Sequence, residues 1–280
     1  MKRKEILVLL LISMIFTLMA GCALTPAVDF GSINVNSSPP RAKVYLDGEY
    51  TGQVTPIILT NVEVGKHTIK LDLYHYKIWE DSNVTVNKNE TTYLNLHFTY
   101  SPELTTILKP GSEEGKDVYV ASTLADTNFD EDFLWLGNWH SLVERIYIQF
   151  DLNTIPKNAR VIDANLTLYQ YHSAGTTTLN VGLYQVMDDW DECTITWDMQ
   201  PTSSSKAETF LIIPDDNFIW RNWGIDDLVQ GWLDVSIDNY GMLLKDTDEI
   251  SIDRLVSFRS SDYTDDPDKC PTLMIKYYIP

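Results

Sequence analysis

Apolar and polar positions alternate along most of this chain, and the alternation predicts short strands. Between Arg145 and Asp151, Ile146, Ile148 and Phe150 alternate with Tyr147, Gln149 and Asp151. That period of two belongs to a half-buried strand. Asn153 to Asn158, with one proline and two asparagines, suits a turn. Val161 to Tyr171 alternates again, and Thr177 to Val186 forms a third run. A fourth strand is expected where Cys193, Ile195 and Trp197 would share one face and Thr194 and Thr196 the other. Earlier, Ile33 and Val35, Lys43 to Leu46, Ile57 to Leu59, His67 to Tyr74 and Val84 to Phe98 read the same way. They are punctuated by Ser37-Ser38-Pro39-Pro40, by the hairpin dipeptide Asp47-Gly48 and by Gly65. Many short strands at this spacing indicate antiparallel sandwiches or barrels.

With 280 residues the chain holds one large or two modest domains, and 44% hydrophobic content allows a sizeable core. The formal charge of −19 argues against nucleic acid, since no basic patch is present to neutralise phosphates. An acidic, solvated surface accounts for it.

The N-terminus carries Lys2, Arg3 and Lys4, then an apolar run from Ile6 to Ala20 that is short for a bilayer span and has signal-peptide flanks. Met19-Ala20-Gly21-Cys22 resembles a lipobox, with Met19 where that motif most often has Leu. The resemblance implies lipidation of Cys22 and a membrane-anchored, extracytoplasmic protein, two acyl chains being enough for stable attachment. The expected layout is a signal peptide over 1–21, a tether over 22–30, a first domain over 31–100 and a second over 101–280.

The first domain resembles a PEGA domain. Gly31-x-Ile33-x-Val35, Val44-Tyr45-Leu46-Asp47-Gly48, Gly52, Thr55-Pro56, Gly65 and Tyr76 fit, whereas Pro39-Pro40-Arg41-Ala42 keeps only two letters of the naming tetrad. The second domain resembles the DNRLRE domain, also called the disaggregatase-related repeat and grouped with carbohydrate-binding module family 96. Arg145, Phe150-Asp151-Leu152, Thr154-Ile155-Pro156, Ala164 to Tyr169 and Trp190 to Pro201 carry that resemblance. So do Trp223 to Trp232, Tyr240 to Leu244, Val256 to Ser261 and the closing strand from Cys270 to Tyr277. Together they imply an all-β protein, a small β-sandwich followed by a larger antiparallel jelly-roll-type β-sandwich.

The DNRLRE resemblance implies non-catalytic binding of a polysaccharide of the envelope or surroundings. A structural or adhesive protein that binds other proteins, and a polysaccharide-degrading enzyme, are the competing readings. Sugar sites on sandwiches use aromatic faces, so Trp135, Trp139, Trp220, Trp223 and Tyr171 are candidates. Trp190, Trp197 and Trp232 match family positions that fill the core. Trp139-His140 and Trp220-Arg221 are expected in loops, and Arg145, Arg221 and Arg259 suit acidic sugars. The ligand set is therefore Trp139, His140, Tyr171, Trp220, Arg221 and Arg259. Calcium is the one cation the acidic loops suit: Asp126, Asn128, Asp130 and Asp132 have alternate oxygen spacing, without the glycine and terminal Glu of an EF-hand. Cys193 and Cys270 are either free thiols or a disulfide in an exported domain. No G-x-S-x-G, H-E-x-x-H or P-loop motif occurs.

Overall fold

The alternating runs become strands in the computed structural model, which describes residues 28–175, 178–250 and 253–280. The signal-peptide segment and Cys22 lie outside the described residues. The chain divides into two units. The first comprises the described residues up to Tyr74 together with Ile78–Thr99, and the second comprises His75–Lys77 and Tyr100–Pro280.

In the first unit, β1 (Phe30–Ser38), β4 (Ile57–Glu63) and β7 (Thr91–His97) form a three-stranded sheet in the order β4-β1-β7. β2 (Lys43–Leu46), β3 (Glu49–Val54), β5 (Gly65–Asp72) and β6 (Trp79–Val86) form a second sheet, β3-β2-β5-β6. Ile33, Val35, Val44, Ile69, Leu71, Val84 and Val86 fill one core between them. Asp47 and Gly48 both take positive φ (52° and 90°), the two-residue hairpin turn their sequence demands.

The second unit is a β-sandwich built around one long strand. Its strands are β8 (Leu104–Leu108), β9 (Asp117–Ala121), β10 (Phe133–Trp139), β11 (Leu142–Ile148), β12 (Arg160–Gly175) and β13 (Leu179–Gln185). They continue with β14 (Thr209–Ile213), β15 (Ile219–Gly224), β16 (Met242–Asp246), β17 (Arg254–Arg259) and β18 (Thr272–Tyr278). All pair antiparallel in the order β14-β13-β16-β11-β10-β17-β12-β18-β8, with β15 added to β12 and β9 to β11. β12 has 16 residues and pairs with β18, β15 and β17 in turn. Ala164, Leu166, Leu168 and Gln170 point into the core, while Asp163, Asn165, Thr167, Tyr169 and Tyr171 face outward. Each fully buried leucine contributes roughly 1.5–3 kcal/mol.

β12 breaks register at Val161/Asp163, and the single helix among the described elements, α1 (Asp226–Leu233), repairs the ladder there. Gln230 Oε1 accepts the Val161 N–H at 2.8 Å, and Asp226 Oδ1 accepts the Ala164 N–H at 2.7 Å. Leu228, Val229 and Trp232 meanwhile pack into the core. The expectation of a short helix with these residues inward corresponds to α1.

The expected fourth strand does not form. Cys193 and Thr194 lie in a turn and Ile195 and Thr196 in irregular chain, and the segment pairs with none of the described strands. The segment from Trp190 to Pro201 is instead a strap of turns, ending in one 3₁₀ turn at Trp197–Met199. The Asp191 carbonyl accepts the Thr194 and Ile195 N–H groups at 3.2 and 2.9 Å. Trp190 and Ile195 pack on Val118, Val120, Tyr147 and Leu243, a small second core on the side of β9 and β11 opposite the main one. Trp190 and Trp232 are buried, while Trp197 is only half-buried.

Arg145 holds the strap down. Its Nε and Nη2 donate to Glu249 at 2.7 Å each, Nη1 donates to Gln200 Oε1 at 2.9 Å, and the guanidinium lies 4.4 Å over Trp197. Bidentate pairing of this kind is the strong form of a salt bridge. Arg145 is thus engaged within the protein rather than open to an acidic sugar. Of the described residues, both cysteines are free: Cys193 is exposed in the strap, whereas Cys270 is buried with Sγ toward the Ser261 and Tyr263 carbonyls. The alternative of a Cys193–Cys270 bridge is corrected by that separation of environments.

Arg145→Ala is expected to destabilise the second unit by about 2–3 kcal/mol, since it strands a half-buried Glu249. Seven of the eight tryptophans lie in that unit, so denaturant unfolding followed by tryptophan fluorescence reads it. An unchanged midpoint would remove the clamp from the account of the fold.

Candidate functional site: an aromatic face on the second unit

The outward positions of β12 and its neighbours collect aromatic rings and two cations. Tyr169 lies directly opposite Trp220 on β15, with ring centres 5.0 Å apart, and Trp220 is 41% exposed. The Lys269 ammonium stands 5.0 Å from the Tyr169 ring. A second register break, at Gln170/His172, turns Tyr171 and His172 outward together. Arg259, at the end of β17, is held between the Tyr171 and Tyr263 rings at 4.0 and 3.7 Å. Phe133 pairs with Arg259 across β10 and β17, while Trp135, Ser257 and His172 form the next cross-strand row. Trp135 packs edge-on against both Phe133 (5.9 Å) and His172 (5.8 Å). The track crosses β15, β12, β17 and β10, three strand spacings or about 14 Å.

Half-buried rings backed by a sheet are rigid platforms. Their faces suit the C–H faces of pyranose rings, and flanking polar groups can meet hydroxyls. Asn222, beside Trp220, accepts from the Thr167 hydroxyl at 2.6 Å and is exposed. Asp132 and Asp266 sit 3.6 and 3.0 Å from Arg259 and Lys269. The Asp266 hydrogen bond, the largest effect there, holds the Lys269 ammonium above its usual range.

Three of the expected ligand residues, Tyr171, Trp220 and Arg259, come together here. Trp220 and Arg221 lie on β15 rather than in a loop. Alternation turns Arg221 the other way, where it pairs with Asp216 and donates from Nε to Gln170 at 2.8 Å, so it is committed internally. Trp139 ends β10, and His140-Ser141 is a two-residue hairpin turn with both φ positive, at 50° and 68°. Asp253 accepts the His140 N–H at 2.7 Å. Trp223 is 1% exposed and belongs to the core, not to a sugar platform. Sequence reasoning missed Tyr169, Tyr263 and Lys269. The outward phase of β12, already visible in its alternation, pointed to Tyr169; Tyr263 and Lys269 come from a loop whose path no local pattern gives.

The larger hollows lie off this face. One of about 600 Å³ is bordered by Ile107, Lys109, Glu114, Phe150 and Asp151, and one of about 540 Å³ by Lys116, Trp190, Thr194 and Met199. The track is a surface, which suits an extended chain better than an enclosed small molecule.

An all-β sandwich with such a face is the architecture of a carbohydrate-binding module. The model of carbohydrate-binding module family 96 matches residues 111–277, more than half of the chain, and the protein belongs to that family. A PEGA domain model matches residues 30–102 ahead of it. Among solved structures, one described as "Structural basis for the promiscuous specificity of the carbohydrate-binding modules from the beta-sandwich super family" is similar at 10% identity, with a TM-score of 0.18. The similarity covers 85% of this chain and 84% of that one; at this score it carries no weight for fold or ligand. No curated protein matches.

The acidic loop before β10 does not close around one centre. Asn128 Nδ2 donates to the Glu192 and Ile195 carbonyls at 2.7 and 2.8 Å, Asp132 faces Arg259, Asp130 faces Asp262, and Asp126 is exposed. Among the described residues no group of three or more His, Cys, Asp or Glu side chains could hold a metal ion. The set expected to hold calcium, Asp126, Asn128, Asp130 and Asp132, thus points to different partners, with Asn128 pinning the loop to the strap. Buried carboxyls nearby have a different consequence. Burial lifts Asp117, Glu144 and Glu192 to about 7, and burial followed by the neighbouring Asp130 lifts Asp262 to about 6. Raised folded-state values bind protons more tightly than the unfolded chain does. The stability they contribute is therefore complete below about pH 4 and lost as pH rises through 6 to 7. Melting temperature is expected to fall between pH 5 and pH 8. Glu144, with one carboxyl oxygen buried and without a hydrogen-bond partner, is the cleanest probe. Glu144→Gln should flatten that slope, by on the order of 1–3 kcal/mol at pH 8; an equal slope in both proteins would contradict this assignment.

Proposed function

We propose that this chain is a lipid-anchored protein of the cell surface that binds a polysaccharide of the envelope or surroundings without catalysis. The observation that carries the reading is the continuous face from Trp220 and Tyr169 through Arg259 and Tyr171 to Trp135. Family membership supports carbohydrate as the ligand, and carbohydrate-binding module families are typically non-catalytic. The lipobox-like Met19-Ala20-Gly21-Cys22 supports the anchor, and the PEGA domain follows it in the sequence, ahead of the binding module.

Affinity electrophoresis through gels containing xylan, laminarin, alginate or polygalacturonate tests the binding. At least one should retard the protein, and Trp220→Ala or Tyr169→Ala should weaken that retardation roughly ten-fold, a loss of about 1.4 kcal/mol. Unaltered mobility in all four gels sinks the reading. Reducing-end and unsaturated-product assays on the same polysaccharides should stay flat. Cys22→Ser should move the expressed protein from the membrane to the soluble fraction; membrane retention of that variant would refute the lipid anchor.

A further inference from the structure

A second exposed platform lies on the other side of the sandwich, on β13, β14 and β16. Gly182 of β13 sits directly opposite Phe210 on one neighbour and Lys245 on the other, so all three share a face. Tyr184, two residues along, shares it too. Its ring lies back over the glycine: a Cβ at Gly182 would meet Tyr184 Cε2 at 2.7 Å, the hydroxyl at 3.0 Å and Cζ at 3.1 Å. The absent side chain is what lets the ring lie against the strand. Lys245 Nζ reaches to 4.7 Å from that ring's centre. Phe210 is 55% exposed and Ile212 66% exposed, and Asn180, opposite Ile212, is exposed as well. The patch spans two strand spacings, about 10 Å.

These parts repeat the chemistry of the first track: a ring seated on the sheet, an aromatic neighbour, a cation and a free amide. Lys245 is drawn below its usual range first by burial and then by the neighbouring Arg145 guanidinium. Glu249, the acid whose charge reaches Lys245, is held bidentately by Arg145. Lys245 therefore makes no salt bridge within 4.0 Å among the described residues and faces outward in a protein of charge −19, a cation left available to a ligand. An edge strand with two large exposed apolar side chains and no charge on that face is a liability unless something covers it.

We infer that Tyr184, Phe210 and Lys245, with Asn180, form a second polysaccharide-contact site on the opposite sheet, so that one molecule can hold two sugar chains. The inference rests on the binding function proposed above. Two sites on opposite faces of one rigid sandwich cannot grip the same short oligosaccharide, but they can join neighbouring chains, and on a long polymer they add avidity.

Dynamic light scattering of the full chain mixed with whichever of the four polysaccharides retards it separates the two sites. The wild-type protein is expected to raise the scattering through cross-linking. Phe210→Ala/Tyr184→Ala should abolish that rise while leaving single-site retardation through Trp220 within two-fold. Lys245→Ala, which leaves both rings in place, should lower the scattering at least three-fold and guards against misfolding of the double variant. Scattering that persists in all these variants overturns the second site while leaving the first intact. Absence of binding by the wild-type protein overturns both. Sedimentation without polysaccharide covers the other occupant: a dimer that Phe210→Ala turns into a monomer, with glycan binding untouched, shows the patch to be a protein interface and also overturns the inference.

Discussion

Arg145 stands where three separate parts of the second unit meet: strand β11, the strap from Trp190 to Pro201, and the turn that carries Glu249. A guanidinium has five donors in a fixed plane and cannot lose its charge in this environment. Two donors go to Glu249, one goes to Gln200, and the plane lies over Trp197. Trp190 and Ile195 pack the first part of the strap, and Asn128 holds the Glu192 and Ile195 carbonyls, but its end at Trp197 and Gln200 is held by Arg145, and Gln200 in turn meets the Tyr147 hydroxyl at 3.0 Å. With the strap fixed, one side of the sandwich is covered over β9 and β11. Two other surfaces remain open: the outward side of β12 with its neighbours, and the patch on β13, β14 and β16.

β12 organises the first of these. A strand that pairs with β18, β15 and β17 along its length cannot stay regular, because each partner demands its own twist. The two register breaks resolve that conflict. One is repaired by polar side chains of α1. The other turns Tyr171 and His172 to the same side, next to Arg259 and Trp135, and so produces the bend in the aromatic track. An irregularity of the strand is thus what brings the aromatic face together. Gln170, fully buried at this break, accepts from Arg221 and donates to the Asp216 carbonyl at 2.5 Å. That buried network explains why Arg221 serves the sheet while its neighbour Trp220 serves the surface.

Much of this was legible in the residues. The alternation of Ile146, Ile148 and Phe150, and of Ala164, Leu166 and Leu168, reports which side of each strand is wet, because the pleat has a period of two. Asp47-Gly48 fixes a hairpin by backbone sterics alone. Trp190 to Pro201, with the motifs around it, carries the family resemblance in its residue types alone. That same segment misled the strand assignment: Cys193, Ile195 and Trp197 alternate with threonines, yet tertiary contacts with Val118 and Tyr147 bend the chain into turns.

The sequence by itself determined an all-β chain in two parts, the inward phase of its strands and the family of the larger part, since these follow from local backbone preference and short-range periodicity. Tertiary structure alone decided which aromatics meet. Trp220 and Trp223 are three residues apart on one strand, and one is on the surface while the other is in the core. Tyr169, Tyr263, Arg259 and Lys269 become one surface only because β17 and the loop after it return to β12. Long-range pairing sets those neighbours, and no window of sequence contains them.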